Sequence, residues 1–229
     1  MRITTVFLVG LCISISACAS GATGADSLSD EDIANGLKQA LTQGAHAAVD
    51  KLGVMNGFLE NPKVKIQLPG SLQKVEGVMR TVGLSKHADS LVTTMNRAAE
   101  TVAAEAKPLL VNAVQEMSVE DARGILAGGN DAATQYFRNT TSDALSQKFL
   151  PIVKNATDQA GLLKKYNEFA RKGAKLGLVT EENANIENYL TQKTLDGIFL
   201  MMAEEERAIR DDPMGQGNKL LQRMFGSLK

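Results

Sequence analysis

Catalysis and metal binding need side chains that exchange protons, attack or ligate, and this chain offers few of them. It has two histidines, His46 and His87, and two cysteines, Cys12 and Cys18. Each histidine lies in a helical pattern with no cysteine or second histidine close by in sequence. Both therefore read as helix residues rather than metal ligands. No G-x-S-x-G elbow, P-loop, dinucleotide fingerprint or calcium loop occurs. A Ser-His-Asp triad has no footing with these two histidines. No catalytic, cofactor-binding or metal-ligating residue is expected on these grounds.

One carboxylate is out of place. At 100° per residue, Leu195, Ile198, Phe199, Met202 and Ile209 gather on one helix face, and Glu206 falls roughly 35° from the centre of that face. Glu204 and Arg207 point away from it. An acid inside an apolar stripe must be paired or take up a proton. The expected partner is Arg138, which shares a ridge with Thr134, Thr141 and Leu145 at helical spacing and carries a permanently charged fork that fits a carboxylate. Arg97 and Arg123 are substitutes, and Arg210 can reach Glu206 along its own helix. The expectation is a buried structural pair of Glu206 and Arg138. The alternative is a hydrolase-like enzyme with a carboxylate and arginine site between helices around the same two residues. An open cleft lined by both would favour a ligand or enzyme site; a sealed, fully paired network would favour structure.

The stretch Met117 to Thr141 must position Arg138. It reads as a short helix, a Gly128-Gly129 stop in the left-handed conformation, and a longer helix. Ser118 and Asp121 resemble a capping box for the first helix, and Asn130 or Asp131 caps the second. A glycine-rich turn before a helix N-terminus can also cradle a phosphate. Here no Lys-Ser or Lys-Thr follows, and Asp131 places a negative charge where the anion would sit.

The segments LAGGNDAATQYFRNTT, LPGSLQKVEGVMRTVGL, MNRAAE and TLDGIFLMMAEEERAIRDDP, taken in order, resemble the domain-of-unknown-function 4197 family of bacterial proteins, over about residues 30 to 226. The resemblance implies a bacterial source, an exported chain and a mostly helical domain. It brings no activity and no catalytic residues.

Composition agrees with a helical body. The 229 residues carry 25 Lys plus Arg against 26 Asp plus Glu, a net charge of −1 that favours neither nucleic acid nor an anionic surface. Aromatic residues make up 4% and Trp is absent, so a base- or sugar-stacking platform is not expected. Ala, Leu, Met and Gln are abundant and favour helix.

At the N-terminus, Met1 and Arg2 precede a mostly apolar run from Ile3 to Ile15, of signal-peptide length and too short to span a bilayer. Ile15-Ser16-Ala17-Cys18 then resembles a bacterial lipobox. The expected organisation is a signal peptide over 1–17, lipidation at Cys18, a flexible Gly/Ala/Ser tether over 18–28 and one helical domain over 29–229. Ala17-Cys18-Ala19 leaves a competing reading, cleavage by ordinary signal peptidase before Ser20. Either way no disulfide can form within the mature chain. Ser20 follows Cys18 with no Asp beside it, which by resemblance to the lipoprotein sorting rule points to the outer membrane.

Within the body, Ser29 and Asp32 cap a first helix whose apolar face is Ile33, Leu37, Leu41, Ala45, Ala48, Val49 and Leu52. Val64, Ile66 and Leu68 alternate with Lys65 and Gln67, a strand pattern that either pairs locally or drapes as an ordered loop. A helix follows with Leu72, Val75, Met79 and Val82 inward, then one capped by Ser85. Pro108 kinks that helix or opens a new one, and Pro151 opens another. The basic run Lys164, Lys165, Arg171, Lys172 and Lys175 reads as a solvated helix face. Residues 177–185 read as a polar loop. The last long helix starts near Ile186, where Gly197 lets a neighbouring helix come close, and a short amphipathic tail ends the chain. The expected fold is all-α, an irregular multi-helix bundle of roughly seven to nine helices with at most one short β-hairpin. The expected role is a non-enzymatic binding or structural module for an envelope protein or a small apolar ligand.

Overall fold

A computed structural model describes residues 28–118, 120, 122–175 and 185–226. Among them are nine helices and no strand: α1 (Asp30–Leu52), α2 (Gly70–Thr81), α3 (Ser85–Glu105), α4 (Lys107–Glu116), α5 (Ala122–Ala127), α6 (Ala132–Gln159), α7 (Leu162–Lys175), α8 (Ile186–Asp211) and α9 (Lys219–Gly226). The all-α bundle anticipated from periodicity is what forms. The signal peptide, Cys18, the Ser118–Asp121 capping box and most of the 177–185 loop lie outside the described residues or depend on residues outside them.

Helices α1 and α8 form the centre, with α6 lying along α8 and α3. The first helix begins as its sequence demands. The Ser29 hydroxyl accepts from the Asp32 amide at 3.0 Å while the Asp32 carboxylate accepts from the Ser29 amide at 3.1 Å. The Ser29 side chain, then its backbone N–H, holds the Asp32 carboxyl below its ordinary value. All seven residues of the expected α1 stripe are buried. Where α1 crosses α8, Gly44 admits the α8 backbone: a Cβ there would lie 3.3 Å from the Met202 carbonyl oxygen. The tail helix α9 buries Leu221, Met224 and Phe225 against α1 and α8.

Several local expectations are corrected. Pro151 does not open a helix but sits inside α6, which runs unbroken for 28 residues. Leu145, Phe149, Val153 and Ala156 are all buried on α6, so the same apolar stripe continues through the proline and outweighs one lost backbone hydrogen bond. Of the two readings of Pro108, the new helix is the one that forms: the residue lies in the first turn of α4. Ser85 is the first helical residue, and the cap position belongs to Leu84, with no side-chain cap bond. Val82 is exposed rather than inward. Gly128 and Gly129 do not enter the left-handed region. Gly83 and Gly161 do, with φ of 77° and 63°, at the turns between α2 and α3 and between α6 and α7.

The strand pattern at 64–68 forms no strand. Val64, Ile66 and Leu68 are buried as their alternation requires, but the backbone pairs with side chains of α3. The Asn96 carboxamide accepts from the Ile66 amide and donates to the Ile66 carbonyl, both at 2.9 Å. Glu100 accepts from the Phe58 and Leu59 amides at 3.2 and 3.1 Å. Arg97 donates to Glu100 and to Asn56. Residues 54–69 are thus a strap tied to α3. Gly197 serves this strap rather than a helix: a Cβ there would lie 2.7 Å from the Phe58 ring and 3.4 Å from Val64.

A contrast between two helical glycines tests that packing. Gly197→Val is expected to cost about 1–3 kcal/mol through overpacking against a fully buried ring. At Gly77 an added methyl group would have nothing within 4 Å, so Gly77→Ala is expected to stabilise α2 by roughly 0.5–1 kcal/mol. Urea unfolding of both variants reads the difference, and equal shifts would contradict it.

Candidate functional site

Glu206 is buried, with 2% of its surface exposed, as its helical phase requires. Its partner is Arg210, one turn along α8, whose Nε and Nη2 donate to Glu206 Oε1 at 3.0 and 2.9 Å. Arg138 is not the partner. The ridge that carries Arg138 faces α8 nearly three turns earlier, where its Nη2 meets Asp196 Oδ1 at 2.5 Å with both side chains partly exposed. Arg97 pairs with Glu100 and Arg123 with Asp30. The expected pair of Glu206 and Arg138 is therefore split between two places.

The rest of the Glu206 network explains the central Gly-Gly turn. Glu206 Oε1 also accepts from the Ala133 amide at 3.0 Å, and Oε2 accepts from the Thr134 amide and hydroxyl, both at 2.7 Å. Those amides belong to the first turn of α6, where backbone N–H groups have no helical partner. Asp131 occupies the cap position without capping, because its carboxylate pairs with Arg207. An anion thus sits at the N-terminus of α6, as the helix dipole favours, but it is a side chain of α8. On the other side of the turn, Arg210 Nη1 and Nη2 donate to the carbonyls of Leu126 and Ile125 at the end of α5, at 2.9 and 3.3 Å. The guanidinium lies 4.8 Å from the Phe225 ring centroid. One ion pair on α8 therefore closes the end of α5, the start of α6 and the seat of α9. Every lone pair it offers toward the turn is engaged, so it is a sealed structural network.

Arg138 faces the opposite kind of surroundings. Between the strap and helices α6 and α8 lies a cleft of about 500 Å³ open to solvent. Lys63, Lys65, Ile66 and Gln67 come from the strap, Gln135 and Arg138 from α6, and Lys193, Asp196, Phe199 and Arg207 from α8. Five cations line it. Lys63 pairs with Glu204 at 2.6 Å, Arg138 and Lys193 share Asp196 at 2.5 and 3.6 Å, and Arg207 pairs with Asp131. Lys65 is exposed and has no carboxylate within 4 Å among the described residues. The floor includes Phe199, whose ring meets Phe137 edge-on at 6.0 Å and lies under the Arg138 guanidinium at 5.7 Å. Tyr189 closes one end, its hydroxyl donating to the Gln67 carbonyl at 3.0 Å, and burial pushes its phenol pKa up.

Sequence reasoning singled out Arg138 but missed the cleft. Lys63, Lys65, Lys193 and Arg207 are ordinary solvated charges in sequence, and only the course of the strap across α8 brings them together. The histidines are exposed helix residues, with His87 against Lys172 of α7. Among the described residues no group of three or more His, Cys, Asp or Glu could hold a metal ion, and no helix is long and apolar enough to cross a membrane.

A family model described as protein of unknown function (DUF4197) matches residues 27–226, and the chain belongs to that family. No curated protein and no solved structure matches the chain.

Proposed function

We propose that this member of the DUF4197 family is an exported envelope lipoprotein, lipidated at Cys18 and held at the outer membrane, whose helical body is a non-enzymatic binding module. The observation that carries the binding role is the open, cation-lined cleft between the strap and α8. Its size is that of a small-molecule site. The buried acid that a hydrolase-like reading relied on does not line the cleft: Glu206 is engaged in the network with Arg210, Ala133 and Thr134 and does not pair with Arg138. The lining also redirects the expected ligand: an apolar compound would leave five charged side chains facing it, so a polar ligand fits better. Export and anchoring rest on the N-terminal sequence, with its short apolar run followed by Ile15-Ser16-Ala17-Cys18.

Metabolic labelling of cells with a clickable palmitate analogue tests the anchor. The parent chain is expected to take up label and the Cys18→Ala chain to take up none. Equal labelling, or a mature N-terminus at Ser20, would exclude lipidation. Native mass spectrometry of the purified protein tests the module, with a retained small molecule as the expected result.

A further inference from the structure

We infer that the cleft between the strap and α8 is a binding site for a phosphate-bearing ligand. This deepens the binding-module reading and rests on it. The chain as a whole carries a net charge of −1, yet the cleft gathers five cations from three separate elements. The carboxylates that pair with them are Asp131, Asp196 and Glu204. Five cations against three acids leave an excess of two positive charges, which one phosphate monoester dianion or two phosphodiester headgroups would balance.

The existing pairs do not close the site. Arg138 and Asp196 have side chains 43% and 40% exposed, and Lys63 is 59% exposed. Pairs this wet contribute little and exchange readily for a better anion. Arg138 uses one terminal nitrogen on Asp196 and keeps the rest of its fork for a second acceptor. Lys65 has no competing acid among the described residues, and Gln135 adds a neutral donor from α6. Beneath the charges, Phe199, Leu200 and Ala203 supply an apolar floor for the uncharged body of the ligand. Positive charge above and apolar surface below suit a phosphate ester better than a bare ion. The phosphate can belong to a soluble compound or to a lipid headgroup.

The test uses the full chain carrying Cys18→Ala, so that no acyl chain of its own contributes. Pyrophosphate is titrated by calorimetry. Co-sedimentation compares vesicles of phosphatidylglycerol in phosphatidylcholine with vesicles of phosphatidylcholine alone. Pyrophosphate is expected to bind in a salt-dependent way, and Lys65→Glu to weaken it on the order of tenfold or more by placing an acid beside the anion. Lys193→Gln is expected to weaken it in the same direction. Lys164→Glu, which makes the same charge change on α7, is expected to leave it unaltered. Vesicle binding that needs phosphatidylglycerol and falls with the same two variants assigns a headgroup; pyrophosphate binding without it assigns a soluble ester. The inference is overturned if neither probe binds, or if Lys65→Glu and Lys193→Gln bind like the parent while folded. An uncharged compound retained in the native mass spectrum would also overturn the ligand class while leaving the binding module standing.

Discussion

Glu206→Ala is expected to lower the free energy of unfolding by about 3–5 kcal/mol, the cost of leaving one member of a buried ion pair alone. The side chain is 2% exposed and Arg210 is 8% exposed, so the guanidinium left behind could not be rehydrated without opening the protein. The Ala133 and Thr134 amides would lose their acceptors in the same step, and each buried orphan costs on the order of 1–3 kcal/mol. The comparison is Glu204→Ala, two residues earlier on the same helix. Its carboxylate meets Lys63 in a pair with side chains 59% and 29% exposed, and losing such a pair changes stability by about 0–1 kcal/mol. Glu206→Gln keeps the shape and some acceptor capacity, so it should fall between the two. Urea unfolding of the three variants checks the order. Equal, small effects would show that Glu206 does not hold the α5–α6 turn.

The phase of Glu206 was readable because helical geometry fixes it: once α8 is recognised, the angle between Glu206 and Phe199 follows. Its ion partner was readable too, in the four-residue spacing to Arg210, but nothing in sequence ranked that arginine above Arg138. What decides between them is how far α6 is shifted along α8, a tertiary quantity with no local signature. The same holds for the acceptor role at α6. Asp131 stands where a cap belongs, and only its pairing with Arg207 frees the amides for Glu206. Pro151 shows a different limit. The rule that proline breaks helices is local, whereas the buried run from Leu145 to Ala156 is a packing constraint, and the packing prevails. The strap is an intermediate case. The alternation Val64, Ile66, Leu68 correctly marked the buried side, but an extended backbone needs partners, and sequence could not say that Asn96 and Glu100 of a helix would supply them.

Asn96→Ala is the second large expected effect, and it connects the strap to the cleft. Asn96 is fully buried on α3 and bonds both polar groups of Ile66 while donating to the Val92 carbonyl. It gives the extended chain the pairing that a neighbouring strand would give. Alanine leaves the Ile66 N–H and C=O without partners in an apolar setting, and two such orphans cost roughly 2–4 kcal/mol together. Glu100 still holds the Phe58 and Leu59 amides at the other end of the strap, so the domain should remain folded with residues 63–67 loosened. Two readouts separate this from a general loss of stability. Hydrogen exchange at the Ile66 amide should lose its protection while amides in the middle of α8 keep theirs under mildly native conditions. Because Lys63 and Lys65 ride on the loosened stretch, pyrophosphate affinity should fall in the same variant, although Asn96 itself does not line the cleft. Full protection at Ile66 together with unchanged affinity would mean that the strap is held by its apolar contacts alone, and that the position of its lysines does not depend on α3.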